Sequence, residues 1–575
     1  MSARPKPSTE VISKLTEYEL VRKRLGRSVP RTKLGCITCK KRKVKCDLVK
    51  PHCWNCSRLG RTCVYALSTN AGSKTCADQL LSFPLHNSTD TGTNLLPKFR
   101  VEEYLALNEF DPLLQPDAEI GLVLTQKRQF LEEYFRLHVH PPIISTLDLR
   151  AWNRLKNTFL NLSQSQPLIA KAVCALSEVY SLSLWNSGKK SSTNFEGNNM
   201  IAFELYLSAK NDIELFSAFE RDDKMSEHML AASFLLGCFE LICRDQLPAF
   251  TEKNMNSLLL KQGTKWSKIA KRLMSWLLLL DAKAVHLGGK GVLGASSSAM
   301  LAIVDDDRMV FNPSEWSDKE SNLSESCTHR IEELKGYVFE SLYKPIADFH
   351  VGSQGFVRRI ATMDRHHIQR GVGIYEEAVQ LEAENILKDM DKLWQQRSPL
   401  FDTTMKELSS LIEPALARSL YNKSRIILCN FWANYIYLHR VTWWDLPMSG
   451  IAMKAHEEIW NNLLKYYEIM ETEWVPEYVP SKPVNPEFLW PMFMYGCEEP
   501  DRTKNTWVIN EFRRATNIAL PPDQYVFNNE FTYSMNASRA ADLLEELIKR
   551  QKLEGKRIDA KFLSLELLGV EFSIL

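Results

Sequence analysis

The chain opens MSARPKPSTE and lacks the apolar stretch of roughly 7 to 15 residues that a secretory signal requires, so export is not expected. Disulfides, which persist in oxidising compartments, are then not expected either. Long hydrophobic runs are also missing. Met229–Phe239 and Leu273–Leu280 fall short of the roughly 18 residues that cross a bilayer, and they read as buried helices; no membrane partner is expected. Almost nothing alternates with period two and no fixed-period repeat recurs, which argues against sheet-rich folds and solenoids. Catalytic signatures are equally scarce. His138 with His140, and His366 with His367, lack the HExxH spacing of a zinc hydrolase and read as surface or loop histidines. Gly371 and Gly373 lack the third glycine of a dinucleotide fingerprint, and Gly288 to Gly291 lack the spacing and hydroxyl of a phosphate loop. No enzyme is expected, and no catalytic residue is assigned.

What is present is unevenly distributed. The 575 residues carry a net charge of only +2, but residues 1–63 hold 17 Lys and Arg against 4 Asp and Glu, a net of +13. The remainder holds 55 against 66, a net of −11. A short basic region on a mildly acidic body is the electrostatic footprint of a protein whose one end meets phosphate.

Inside the basic region, Cys36, Cys39, Cys46, Cys53, Cys56 and Cys63 form C-x2-C-x6-C-x6-C-x2-C-x6-C, in which the unit C-x2-C-x6-C occurs twice. Two equal half-sites are implied. Structural zinc is almost always four-coordinate and tetrahedral, so two Zn2+ ions need eight ligand positions where six thiolates are present. Two sulfurs must bridge, and by pseudo-symmetry the first of each half, Cys36 and Cys53, are the candidates. The other seven cysteines show no such spacing and read as small buried hydrophobes. Between Arg22 and Cys63 stand 14 Lys and Arg and one acid, Asp47. The positive field comes from these side chains, since two zinc ions with six thiolates carry a net −2. Double-stranded DNA is the expected partner; Trp54 and Tyr65 are too few nearby aromatics for a single-strand or RNA reader, which generally stacks several bases.

The segment KLGCITCKKRKVKCDLVKPHCWNCSRLGRTCVY resembles the fungal Zn2Cys6 zinc binuclear cluster family of transcription factors, including the basic run after the second cysteine and a proline, Pro51, between the halves. The resemblance implies two short helices packed around the zinc pair, the first presenting its carboxy-terminal end to the major groove. It supports the bridging roles of Cys36 and Cys53. It also places Arg42 and Lys43 at base-reading positions for CGG-like triplets, with Lys40, Lys41, Lys45, Lys50, Arg58 and Arg61 as phosphate contacts. Lysine and arginine suit the first role because they donate to guanine O6 and N7. Such a protein is expected in the nucleus, with Arg22, Lys23, Arg24 and Lys40 to Lys45 doubling as an import signal. Members of the family commonly dimerise through a coiled coil after the linker. Residues 66–100 lack three consecutive apolar heptads, so either the chain binds as a monomer or it forms a homodimer through the carboxy-terminal domain.

The expected fold is mostly α. It comprises a basic leader (1–30), the Zn2Cys6 module (31–66), a polar linker (67–98) and a large all-helical regulatory domain (99–575). Apolar positions spaced by three and four place helices near Gly121–Leu137, after Pro167, and near Ala202–Phe216, Glu227–Cys243, Lys261–Leu287, Tyr375–Gln396, Pro414–His439, Ala455–Met470 and Asn536–Leu553. Loops are expected at Asn186–Asn199, Gly288–Ser298 and Asp305–Glu325. The stretches YIYLHRVTWWDLP (435–447) and FLWPMFMYGCEEPDR (488–502) resemble the regulatory domain of a subgroup of these factors, which implies an all-helical domain without catalytic residues. Trp432, Trp443, Trp444 and Trp490 suggest a ligand box, but core packing is the favoured reading. The acidic, leucine-rich tail Leu543–Leu575 fits recruitment of the transcription machinery, and so activation; a packed amphipathic helix accounts equally well for Leu544, Leu547 and Ile548.

Overall fold

A computed structural model describes residues 117–139, 149–187, 200–217, 223–242, 266–289, 327–371, 373–480, 484–516 and 536–569, together with 291, 293, 300, 303 and 572–574. All of them belong to the unit that begins at Cys76. The cysteine module, the linker and the Asp305–Glu325 loop lie outside the described residues, as do 188–199 of the loop expected at Asn186–Asn199.

The regular elements among the described residues are helices. The first six are α1 Asp117–His138, α2 Leu149–Ser163, α3 Pro167–Ser187, α4 Met200–Ser217, α5 Asp223–Ile242 and α6 Lys268–Ala284. They enclose one core. Pro167 opens α3, where a missing N–H costs nothing, and the three- and four-spaced Ala172, Val173, Leu176 and Val179 are all fully buried. Trp152 of α2 lies at the centre with no exposed surface. Its ring packs against Phe135, Phe159, Phe234 and Trp276 at 5.8–6.3 Å, and its indole N–H donates to the Val139 carbonyl at 2.9 Å. Helix α5 is long and apolar enough to cross a membrane by composition, yet 83% of that stretch is buried inside the protein. Leu230, Phe234, Leu235, Cys238 and Phe239 are core residues, each stabilising by the order of 1.5–3 kcal/mol for the large ones.

A second core is built from α7 Cys327–Thr362, α8 Gly373–Gln395, α9 Met405–Leu411, α10 Pro414–Thr442, α11 Gly450–Tyr466, α12 Leu489–Glu498, α13 Arg502–Thr516, α14 Ala537–Glu554 and α15 Ala560–Leu568. Helix α10 is its axis: every residue from Lys423 to His439 is buried, and α7, α9, α11 and α12 pack on it. Phe349, Trp394, Phe401, Phe431 and Trp432 form one aromatic cluster along it. The two cores meet on α6. Its Leu273, Leu277 and Leu280 enter the first, whereas Ala282 and the following Val285 and Leu287 enter the second.

Most expected helices stand within a few residues of their predicted bounds. Helix α11 starts five residues before the expected Ala455, because Ser449 caps it by accepting from the Ala452 N–H at 3.3 Å. Helices α2, α7, α9, α12, α13 and α15 were not anticipated. In α7, Pro345 argues for a break, since it lacks the N–H of the helical ladder; the helix nevertheless runs 36 residues through it.

Candidate nucleic-acid interface and the polar core of the body

The proposed metal ligands Cys36, Cys39, Cys46, Cys53, Cys56 and Cys63 lie outside the described residues, as do Lys40, Lys41, Arg42, Lys43, Lys45, Lys50, Arg58 and Arg61. Their chemistry is still testable on the donor set itself. Six thiols in two equal halves supply soft ligands for two four-coordinate ions with two bridges, so the residues fit a zinc pair. The cysteines of the body behave differently. Cys174, Cys238, Cys429 and Cys497 are buried free thiols. Burial pushes the Cys497 thiol up to about 12 and the other three upward as well, so all four stay protonated and are poor ligands.

The two stretches 435–447 and 488–502 converge in space. Arg440 near the end of α10 pairs with Glu498 at the end of α12, and its second nitrogen donates to Gln551 Oε1 at 3.2 Å and to the Ile558 carbonyl at 3.1 Å. Arg557 grips the same carboxylate through Nε at 2.8 Å and Nη2 at 3.0 Å. Its remaining nitrogen donates to the carbonyls of Trp443, Trp444 and Leu446, just past the carboxy terminus of α10, where a cation is favoured. Burial alone would raise Glu498, but the two guanidiniums hold it below the ordinary carboxylate range. Elsewhere in this lobe, Lys283 of α6 pairs with the fully buried Glu487 at 3.2 Å, and burial pushes Glu487 upward against that pull.

The tryptophans do not form a box. Trp432 and Trp490 are buried, the first against Trp394 and Tyr435, the second against Tyr437 and stacked on His286 at 3.8 Å. Trp444 points outward, 49% exposed. In the tail, Leu544 and Leu547 of α14 are fully buried, while Phe562, Leu565 and Leu567 of α15 are exposed.

His366 departs from the surface reading. Its side chain is 8% exposed and its Nε2 lies 3.0 Å from Asp559, with Asp364 at 3.8 Å. One ligand atom from each of the three lies within 4.8 Å of the others. The surroundings oppose a metal ion there. Arg365 pairs with Asp559 at 2.8 Å, and Asp559 caps α15 by accepting from the Phe562 N–H, a helix end that already favours negative charge. The group is an ion-paired clasp that fastens α15 to the turn after α7. Nothing local in the sequence signals it, because Asp559 is 193 residues from His366. The glycines at 288–291 serve packing near the same turn. Gly288 has φ +72°, and a Cβ there would sit 2.7 Å from His366 Cδ2, while Lys561 donates to its carbonyl at 3.1 Å.

The profile of the fungal Zn(2)-Cys(6) binuclear cluster domain matches residues 34–72, a span that contains all six cysteines of the pattern. The first part of the chain is therefore a zinc-cluster domain, which binds two zinc ions. Proteins that this chain resembles over that domain are transcriptional regulators. The chain is similar to a lysine biosynthesis regulatory protein of Saccharomyces cerevisiae, 42% identical over 64 residues, covering 11% of this chain and 7% of that one. It is also similar to oleate activated transcription factor 3 of Kluyveromyces lactis, 52% identical over 46 residues (8% and 7%), and to white-opaque regulator 2 of Candida albicans, 53% over 34 residues (6% and 8%). The matches thus span less than a tenth of these relatives' own lengths. No solved structure matches.

Proposed function

We propose that the chain is a nuclear, sequence-specific regulator that reads CGG-like triplets in promoters of RNA polymerase II. The observation that carries this reading is the doubled C-x2-C-x6-C unit inside the matched residues 34–72, embedded in a run of lysine and arginine. In it, Cys39, Cys46, Cys56 and Cys63 are terminal ligands, and Cys36 and Cys53 bridge the two zinc ions. Bound zinc supplies no chemistry of reaction; it fixes the fold that presents the basic edge. Arg42 and Lys43 donate to guanine edges, which gives specificity. Lys40, Lys41, Lys45, Lys50, Arg58 and Arg61 neutralise phosphates, so log K falls by about 0.9 per contact per log unit of salt.

The body from residue 99 onward is an all-helical regulatory domain. The exposed apolar residues of α15 beside Glu566 support contact with the transcription machinery and, on balance, activation. The basic region has no apolar heptad seam behind it, so the chain binds either as a monomer or as a homodimer through the body. Competition of CGG duplex, scrambled duplex and single-stranded RNA for the zinc-loaded chain tests the reading. Lys43→Ala is expected to cost about 1–3 kcal/mol on the cognate duplex and little on the scrambled one. Equal losses on both duplexes, or preference for RNA, refute it.

A further inference from the structure

Helices α14 and α15 follow each other in the chain but are attached to the body by different forces. In α14, Ala537, Ala540, Ala541, Leu543, Leu544 and Leu547 are buried, so packed apolar surface holds it. In α15, Leu563 and Ser564 alone among its nine residues are buried, while Phe562, Leu565 and Leu567 face solvent. What holds α15 is mostly polar. Asp559, at its amino-terminal end, pairs with Arg365 at 2.8 Å and with His366 Nε2 at 3.0 Å. Lys561 donates to the Gly288 carbonyl at 3.1 Å, and the Glu566 carboxylate accepts from Nη1 and Nη2 of Arg550 at 2.7 and 2.8 Å. Breaking such contacts returns polar groups to water, which compensates most of the loss. Leaving an apolar seat has no such compensation.

The chain on either side of α15 is held independently of it. Before it, Arg557 grips Glu498, and the Ile558 backbone donates to Gln551 and accepts from Arg440. After it, Phe572 and Ile574 are buried, and the Ser573 carbonyl accepts from Asn536 at 2.9 Å. Between α15 and that second anchor stands Gly569, with φ +70° and open space where a Cβ would lie, so no packed neighbour resists a change of backbone direction there. We propose that α15 is a strap latched by Asp559, which lifts from the body as one unit while both anchors stay in place. Lifting uncovers His366 and the turn His286–Gly288, which α15 touches, and frees Leu563 beside Phe562, Leu565 and Leu567. The lifted helix presents one more large apolar side chain than the docked one, so a partner that takes all four shifts the strap open.

Hydrogen exchange of the zinc-loaded full chain, followed peptide by peptide in a mass spectrometer, tests this. In the wild type the amides of α15 are expected to exchange together, at least about 100-fold faster than those of α14 after correction for intrinsic rates. Asp559→Asn keeps an oxygen to accept from the Phe562 N–H, since asparagine caps a helix as well as aspartate does, but removes the charge that Arg365 and His366 meet. It should accelerate α15 by about 10-fold or more and leave α14 unchanged. Glu566→Gln, in a more exposed pair, should accelerate α15 by about 2- to 5-fold. A wild-type α15 that exchanges as slowly as α14 overturns the strap, because the helix then opens only with the body. Variants that accelerate α14 as much as α15 overturn it too, and an Asp559→Asn chain with unchanged α15 exchange removes the latch. The wild-type comparison stays decisive if a variant fails to fold.

Discussion

Cysteine has opposite surroundings in the two regions of this chain. In the amino-terminal region six cysteines recur at fixed spacing among lysines and arginines, where a thiolate is favoured and a soft cation can be shared. In the body, Cys174, Cys238, Cys429 and Cys497 sit among leucines and aromatics, protonated by burial. One region carries a set of metal ligands, and the other is held by packed apolar surface. The largest expected effect breaks this contrast open. Removing zinc with a chelator should abolish DNA binding and leave the thermal unfolding midpoint of the body in place. Cys39→Ser should do the same, whereas Cys429→Ala should leave two zinc ions per chain and DNA affinity intact. Elemental analysis with band-shift titration checks all three; a body that unfolds with loss of zinc would end the contrast.

The next effect belongs to the body alone. Glu498→Gln leaves Arg440 and Arg557 without a carboxylate between them, and breaking a buried pair in this way costs about 3–5 kcal/mol. Its pH signature follows from the direction of the shift. A carboxyl held below its ordinary 4.5 in the folded state stabilises fully above that value and loses the contribution as pH falls through the folded one. Urea denaturation should therefore show stability falling below about pH 4.5 in the wild type, with a shallower fall in the variant. Parallel acid limbs would mean that the guanidiniums do not hold Glu498 ionised.

These two regions also differ in how far they can be read from the chain. The zinc module is written in local spacing, because metal ligation makes positions a few residues apart depend on one another. Helices are legible where periodicity and punctuation agree, as with Pro167 before α3 and Pro414 before α10. They are hidden where one misleads. Pro345 masks α7, and α12, apolar on all sides because it is buried on all sides, has no period to detect. The polar contacts were illegible for a different reason. Glu498 meets Arg440 and Arg557 across 58 and 59 residues, and His366 meets Asp559 across 193, distances over which sequence carries no pairing rule. The four tryptophans show the same limit: composition marked them as notable, but only the packing separates Trp432 and Trp490, which fill the core, from Trp444, which faces outward.

The smallest expected effect sharpens the contrast by separating contact from backbone. Gly288 and Gly555 both have positive φ, +72° and +65°, which L side chains adopt at a cost of about 1–2 kcal/mol. At Gly555, the αL cap of α14, a Cβ meets open space, so Gly555→Ala should lose about 1 kcal/mol from the backbone alone. At Gly288 a Cβ lands 2.7 Å from His366 Cδ2 and must push the ring from its place against Asp559. Gly288→Ala should therefore lose more than Gly555→Ala, and the excess should shrink when His366→Ala is combined with it, because the obstructing ring is gone. Chemical denaturation of the four chains measures the coupling. An excess that persists without the imidazole would place the restriction in the backbone of the loop, whereas zinc content and triplet affinity should stay constant throughout, since none of these residues lies in the cysteine module.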